Sequence, residues 1–300
     1  MIGKSTVKRA VKRTAGWASL LENFFAGYAA AGRPAACVFY YHRVAEVGFV
    51  DARVDDWNVP PRVFERQIAA LAEFAEIVPL LELLGRLRGR APGARPLVSL
   101  TFDDGYASFY TQALPVLKRY GVPATAFVVT GTVGREGPQA YDEWGIRNAG
   151  RTAEEAWRAM SWEELEMCAA TGLVHVGAHS HEHLRGSRLT SARMEEEAGR
   201  SRALLRGRLG NEHARAYSYP YGCTRLGDAS DEYVRAVRAA GYERAVTTDL
   251  GLMSADADPL RLPRVEAHGI DLPGVLKAKA AGRLASYRLT DHFRSMSRAI

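Results

Sequence analysis

The chain has 300 residues, is 47% hydrophobic and 25% charged, and carries a net charge of +6, which suits one large α/β domain with an ample core. Three widely spaced cysteines, Cys37, Cys168 and Cys223, make neither a disulfide framework nor a thiolate metal site and lean toward a reducing compartment. Lys4, Lys8, Arg9, Lys12 and Arg13 concentrate the positive charge in a terminal arm; this argues against nucleic acid as a partner, whose binding face carries basic residues interleaved with aromatics on a folded surface.

Within 1–34, Val7, Val11, Thr14, Ala18, Leu21, Phe25 and Tyr28 step by four and three, predicting a basic amphipathic helix. It either packs its stripe on the domain or lies on an anionic membrane surface as a peripheral contact through residues 4–30. A cleaved leader is disfavoured by Glu22 and Asn23, which interrupt the apolar run. That run is also too short to span a bilayer. Residues 35–41 read as a strand ending at His42, followed by an irregular loop over 45–60 that holds Asp55, Asp56 and Trp57. A helix over 61–76, a short strand at 77–79 and a helix over 80–88 come next.

An apolar strand over 96–102 leads into Asp103-Asp104-Gly105. A helix over 108–120 follows, with Pro115 either kinking it or marking its true start. After a strand at 123–129, the long stretch 131–159 is either a functional lid or a surface insertion. Ser161 and Glu164 match a capping box opening a helix that ends near Gly172. A strand then runs into His179-Ser180-His181-Glu182-His183. A charged helix over 191–209, with Met194, Ala198, Leu204 and Leu205 inward, precedes a strand at 214–219 and a helix at 231–240. Strands at 244–248 and 262–265 and a helix at 271–281 close the domain. Strands alternating with helices predict a parallel barrel.

Two stretches carry chemistry. Adjacent carboxylates at the end of a buried strand need a compensating cation, although Asp-Asp-Gly is also ordinary turn material. His179 and His183 are four apart, a spacing that on a helical turn puts both imidazoles on one side, although such a pair alone is usually a solvated loop. Together the two strand ends point to a metal: two neutral imidazoles and one carboxylate leave zinc an open position, the catalytic arrangement.

The stretches 101–105, 179–183 and 217–222 resemble, in order, successive motifs of the polysaccharide deacetylase family (NodB homology domain, carbohydrate esterase family 4). The similarity runs from about Cys37 to about Ala280. Tyr41-His42-Arg43-Val44 is similar to the poly-N-acetylglucosamine deacetylase subgroup, in which motif order is permuted and the first-strand histidine replaces a late catalytic one.

The resemblance implies an α/β fold, a distorted (β/α) barrel of about seven strands over 35–285 with a peripheral tail at 286–300. It implies N-deacetylation of an N-acetylated carbohydrate. Asp104, His179 and His183 would hold Zn²⁺, or Co²⁺, Ni²⁺ or Mn²⁺ in its place. Asp103 would be the general base, the Tyr221 N–H an oxyanion donor and His42 the general acid. One departure is Ser218, which stands where many members carry an arginine orienting the base; Arg264 is the candidate to reach that space, the alternative being a rim salt bridge. Other functional readings are an amidase or deformylase on a non-polymeric substrate and a sugar-binding protein that kept the fold. The expected location is cytoplasmic or peripheral to the inner face of the membrane.

Overall fold

The computed structural model describes residues 36–47, 57–91 and 93–284. The amphipathic helix, Asp55, Asp56 and the tail over 286–300 lie outside these residues. Among the described residues there are ten strands: β1 (Ala36–Tyr41), β2 (Arg43–Val44), β3 (Asn58–Val59), β4 (Glu76–Ile77), β5 (Leu97–Phe102), β6 (Ala124–Val128), β7 (Val174–Ala178), β8 (Ala216–Ser218), β9 (Arg244–Leu250) and β10 (Leu262–Glu266). All named pairings are parallel, in the order β1-β10-β9-β8-β7-β6-β5, and β1 pairs back onto β5 to close a seven-stranded barrel. The short β4 pairs with β5 at Leu97 and Val98, ahead of the stretch at Thr101 and Phe102 that pairs with β6.

Alternation along the strands decides what faces the barrel axis. Cys37, Phe39 and Tyr41 of β1, Val98, Leu100 and Phe102 of β5 and Val174, Val176 and Ala178 of β7 belong to the outer core under the helices. Ala36, Val38, Leu97, Phe127, Ala216, Val246 and Leu262 form an inner core. Its lower end is plugged by α2 (Leu80–Leu87), which buries Leu80, Leu83, Leu84 and Leu87 there. The same parity carries His42, Asp103, His179, Ser218 and Arg264 to the inner side at the upper end, where the strands deliver their C-termini.

The helices largely start and stop where their caps dictate. α1 (Pro61–Phe74) opens on a proline. α5 (Trp162–Ala170) has both bonds of the Ser161–Glu164 capping box. α6 (Ser191–Leu209) and α7 (Asp231–Ala240) are capped by Thr190 and Ser230. The expected helix over 108–120 divides: Phe109–Ala113 is a π-helical turn, and α3 (Leu114–Tyr120) starts with Pro115 in its first turn, where a missing N–H costs nothing. On α6, Leu205 is buried but Leu204 is exposed, a correction to its inward assignment. Residues 131–159 contain α4 (Glu143–Asn148) and a 3-10 turn at Glu154–Ala156. Trp144 packs with Ala45 and Ala156 as a small core of its own. The last helix among the described residues is α8 (Pro273–Ala280). No helix among the described residues is long and apolar enough to cross a membrane.

Candidate active site

Strand β5 delivers two acids to different environments. Asp103 continues the ladder, its N–H bonding to the Tyr41 carbonyl at 2.9 Å. Asp104 then turns into the left-handed region at φ 71° and Gly105 follows at φ 66°. A Cβ on Gly105 would lie 2.8 Å from Val128, so the turn is open only to glycine. This reversal separates the two carboxylates.

Asp103 is clamped by Arg264. Nη1 reaches Oδ1 at 2.9 Å and Nη2 reaches Oδ2 at 2.7 Å. The remaining guanidinium protons go to the Thr247 carbonyl, Thr101 Oγ1 and Ser218 Oγ. Both side chains are buried. Burial alone would raise the Asp103 carboxyl, but Arg264 and His179 hold it well below the usual carboxylate range. Ser218, where the family arginine was absent, is a hydrogen-bond partner of the arginine that arrives from β10.

Asp104, His179 and His183 converge on one point. Asp104 Oδ1 is 3.5 Å from Nε2 of His179 and 3.4 Å from Nε2 of His183, and the donor atoms of all three lie within 4.8 Å of one another. Asp104 Oδ1 is buried with no hydrogen-bond partner among the described residues. Burial, Asp103 and Asp142 push the Asp104 carboxyl well up, against Arg43 and Tyr106, and burial lowers both imidazoles. Neutral imidazoles around an acid that needs positive charge to ionise fit a divalent cation. His179 Nδ1 donates to the Ser218 carbonyl at 2.8 Å, which fixes the tautomer and aims Nε2 at Asp104.

The two histidines do not sit on a helical turn, contrary to the expectation from their spacing. Ser180 and His183 have φ of 62° and 59°, so the loop reverses twice. It is held from behind by Glu197 of α6, which is fully buried and accepts the N–H groups of His181 and Glu182 at 2.9 and 2.8 Å. Ser180 Oγ accepts the His183 N–H at 2.9 Å.

His42 is partly buried and its ring lies 5.5 Å from that of Trp57, nearly parallel. Burial pushes it down to about 4, against the pull of Asp103 and Glu266, with His179 and Arg264 also acting on it. Its place just past β1, between β5 and β10, puts it at the barrel mouth with Asp103 and Arg264. His268, at the end of β10, is buried and lies 3.4 Å from Glu266. Tyr221 is 40% exposed with φ 62°, a conformation that costs a residue with a Cβ about 1–2 kcal/mol. Four of the five non-glycine residues in that region among those described, Asp104, Ser180, His183 and Tyr221, belong to this site, as strain at functional sites does.

Residues 138–144 form a strap beside the site that sequence reasoning did not resolve. The ring of Tyr141 stacks on His183 at 3.8 Å and 19°, and Gln139 Nε2 donates to the Asp104 carbonyl at 3.1 Å. Arg43, directly after His42, is buried and bonds Asp142 at 2.6 Å. Nothing in their local sequence marks Arg43 and Asp142 as partners across the chain.

The polysaccharide deacetylase family model matches residues 90–245. The chain is 26% identical over 210 residues to YxkH of Bacillus subtilis, covering 69% of this chain and 65% of that protein. It is 24% identical over 249 residues to the poly-beta-1,6-N-acetyl-D-glucosamine N-deacetylase of Staphylococcus aureus strain MRSA252, covering 77% of this chain and 78% of that one. The chain thus spans about two thirds to three quarters of the length of these relatives. Its fold is similar to that of IcaB from Ammonifex degensii, with a TM-score of 0.64, 26% identity, and coverage of 83% of this chain and 97% of that one.

Proposed function

We propose, from the fact that the chain belongs to the polysaccharide deacetylase family, that it is a metal-dependent N-deacetylase that hydrolyses the acetamide of N-acetylated sugars. The observation that carries this reading is the pairing of two unlike acids: Asp104, whose Oδ1 faces two imidazoles with no hydrogen-bond partner among the described residues, and Asp103 locked to Arg264 beside it. Binding a sugar requires no such division of labour.

Asp104, His179 and His183 would hold the ion, with Zn²⁺ our first choice from the donor set. A bound divalent ion supplies Lewis acidity, lowering the pKa of water and polarising a carbonyl oxygen. Asp103, ionised and fixed by Arg264, takes a proton from the attacking water. The Tyr221 N–H donates to the oxyanion as the carbonyl becomes tetrahedral. His42 delivers the proton the sugar amine needs to depart. Burial holds its resting ring neutral, so His42 takes up the proton that leaves the attacking water through Asp103 and hands that same proton to the departing nitrogen. Acetate and a free amine are the products.

The staphylococcal relative suggests β-1,6-linked N-acetylglucosamine as the first substrate to test. Acetate release is measured over a panel of N-acetylhexosamine oligomers, sugar nucleotides and simple formamides, with and without chelator. Release from oligomers that chelation abolishes and Zn²⁺ restores is the expected result. Turnover of formamides alone would favour an amidase, and binding without turnover a lectin-like protein. His42→Ala should retain metal and fold and lose turnover by at least about 10²-fold. Unchanged turnover in that variant would remove His42 from the mechanism.

A further inference from the structure

The two imidazoles of the candidate metal site are held by different means. His179 has the expected support, its Nδ1 bonded to the Ser218 carbonyl, and a metal-ligating histidine nearly always has such a bond. His183 does not: its Nδ1 is buried without a hydrogen-bond partner among the described residues. Its backbone, at φ 59°, is not one that holds a side chain by local preference. The ring stacked on it is Tyr141, centroid to centroid at 3.8 Å and 19° from parallel, whereas Tyr221 and His179 meet it only tilted or edge-on, at 5.1 and 4.9 Å.

Tyr141 is itself anchored. Its hydroxyl donates to Gln139 Oε1, which also accepts from Thr132 Oγ1 at 2.8 Å, while the Gln139 amide holds the Asp104 carbonyl. The next residue, Asp142, is buried and pairs with Arg43. The Arg43 guanidinium also donates to the Ala156 carbonyl and lies between the rings of Tyr106 and Trp144, at 4.1 and 4.3 Å. Asp142 Oδ2 would be 2.3 Å from a Cβ at position 145, so it occupies room that only Gly145 leaves. A strap fastened this way presents the Tyr141 ring at a fixed place.

We propose that Tyr141 is a positioning residue for His183: its ring face sets the imidazole plane that a hydrogen bond sets for His179, and the Arg43–Asp142 pair holds the strap that carries it. The proposal rests on the metal-site reading above and extends the site to the 131–159 segment, which acts as a fixed wall of the metal centre.

The test is the affinity of the full chain for Zn²⁺, by chelator competition, with thermal unfolding followed in parallel. Tyr141→Ala should weaken Zn²⁺ binding by about 10–100-fold, in the range seen when an outer-shell partner of a metal ligand is lost. Tyr141→Leu, which fills volume without a flat ring and guards against collapse of the strap, should behave like the alanine variant. Tyr141→Phe should remain within about threefold of the parent, because it keeps the ring face and the Arg43–Asp142 pair still holds the strap when the bond to Gln139 is lost. The visible spectrum of the Co²⁺-loaded chain should change with Ala and Leu and not with Phe. Unchanged affinity in the Ala and Leu variants overturns the proposal while leaving the metal site standing, and so does an equal loss with Phe. A parent chain that binds no divalent ion overturns the metal-site reading and the proposal with it.

Discussion

Asp103→Asn is expected to keep the metal and the fold and to lose about 10²–10⁴-fold in turnover, the usual worth of a positioned general base. The amide is isosteric with the carboxylate but cannot take a proton from water. Arg264 keeps its bonds to Thr247, Thr101 and Ser218 and the amide oxygen still accepts from it, so the barrel mouth stays assembled at reduced stability, the guanidinium having lost its buried counter-charge. Asp104→Asn should do the reverse and weaken metal retention itself, because Asp104 Oδ1 is the oxygen that both imidazoles face. Metal content of the purified variants and acetate release from the same preparations separate the two. Metal lost from the Asp103 variant and kept by the Asp104 variant would exchange the two assignments.

Much of this site was legible because strand parity carries it. Once 35–41, 96–102 and 262–265 read as strands of one parallel barrel, His42, Asp103 and Arg264 fall on the same face of their strands and at the same end. No local signal joins Arg264 to Asp103, which lie 161 residues apart, but the closure of β1 onto β5 with β10 alongside does. The spacing of His179 and His183 predicted convergence correctly and its cause wrongly. A four-residue step suits a helix, yet two left-handed residues bring the same imidazoles together. Periodicity cannot see that, since a reversal depends on what receives the freed N–H groups.

The receiver is Glu197, and its signal was present but unread. Met194, Ala198, Ser201 and Leu205 are the buried stripe of α6, and Glu197 is one of its members. Sitting beside Glu195 and Glu196 in sequence, it passes for one more solvated acid, whereas its helical phase puts a carboxylate inside. The strap is a different case. Arg43 and Asp142 are 99 residues apart, Asp142 lies in a segment with little regular structure, and the energy that fixes it comes from a buried ion pair and stacked rings. Neither has a period, so composition alone does not distinguish a functional lid from a surface insertion over 131–159.

Arg264→Met should destabilise the protein by about 3–5 kcal/mol, the cost of breaking a buried ion pair by removing one partner. Methionine fills much of the volume, so the loss comes from charge and not from a cavity. Asp103 would keep its burial and lose the fork that holds its proton off. Thr101 Oγ1 and Ser218 Oγ would lose a donor as well. Arg264→Lys should fall short of the parent too, since one ammonium cannot serve two carboxylate oxygens, a threonine, a serine and a carbonyl in one plane. The decisive comparison is Arg264→Met combined with Asp103→Leu. If the cost of Arg264→Met is the uncompensated carboxylate, removing that carboxylate should return a large part of the stability while turnover stays absent, because apolar replacement of a whole buried pair is often close to neutral. Denaturant unfolding of the three variants measures this. A double variant no more stable than Arg264→Met would locate the loss in the Thr247, Thr101 and Ser218 bonds, making Arg264 a brace of the barrel mouth first and the partner of the base second.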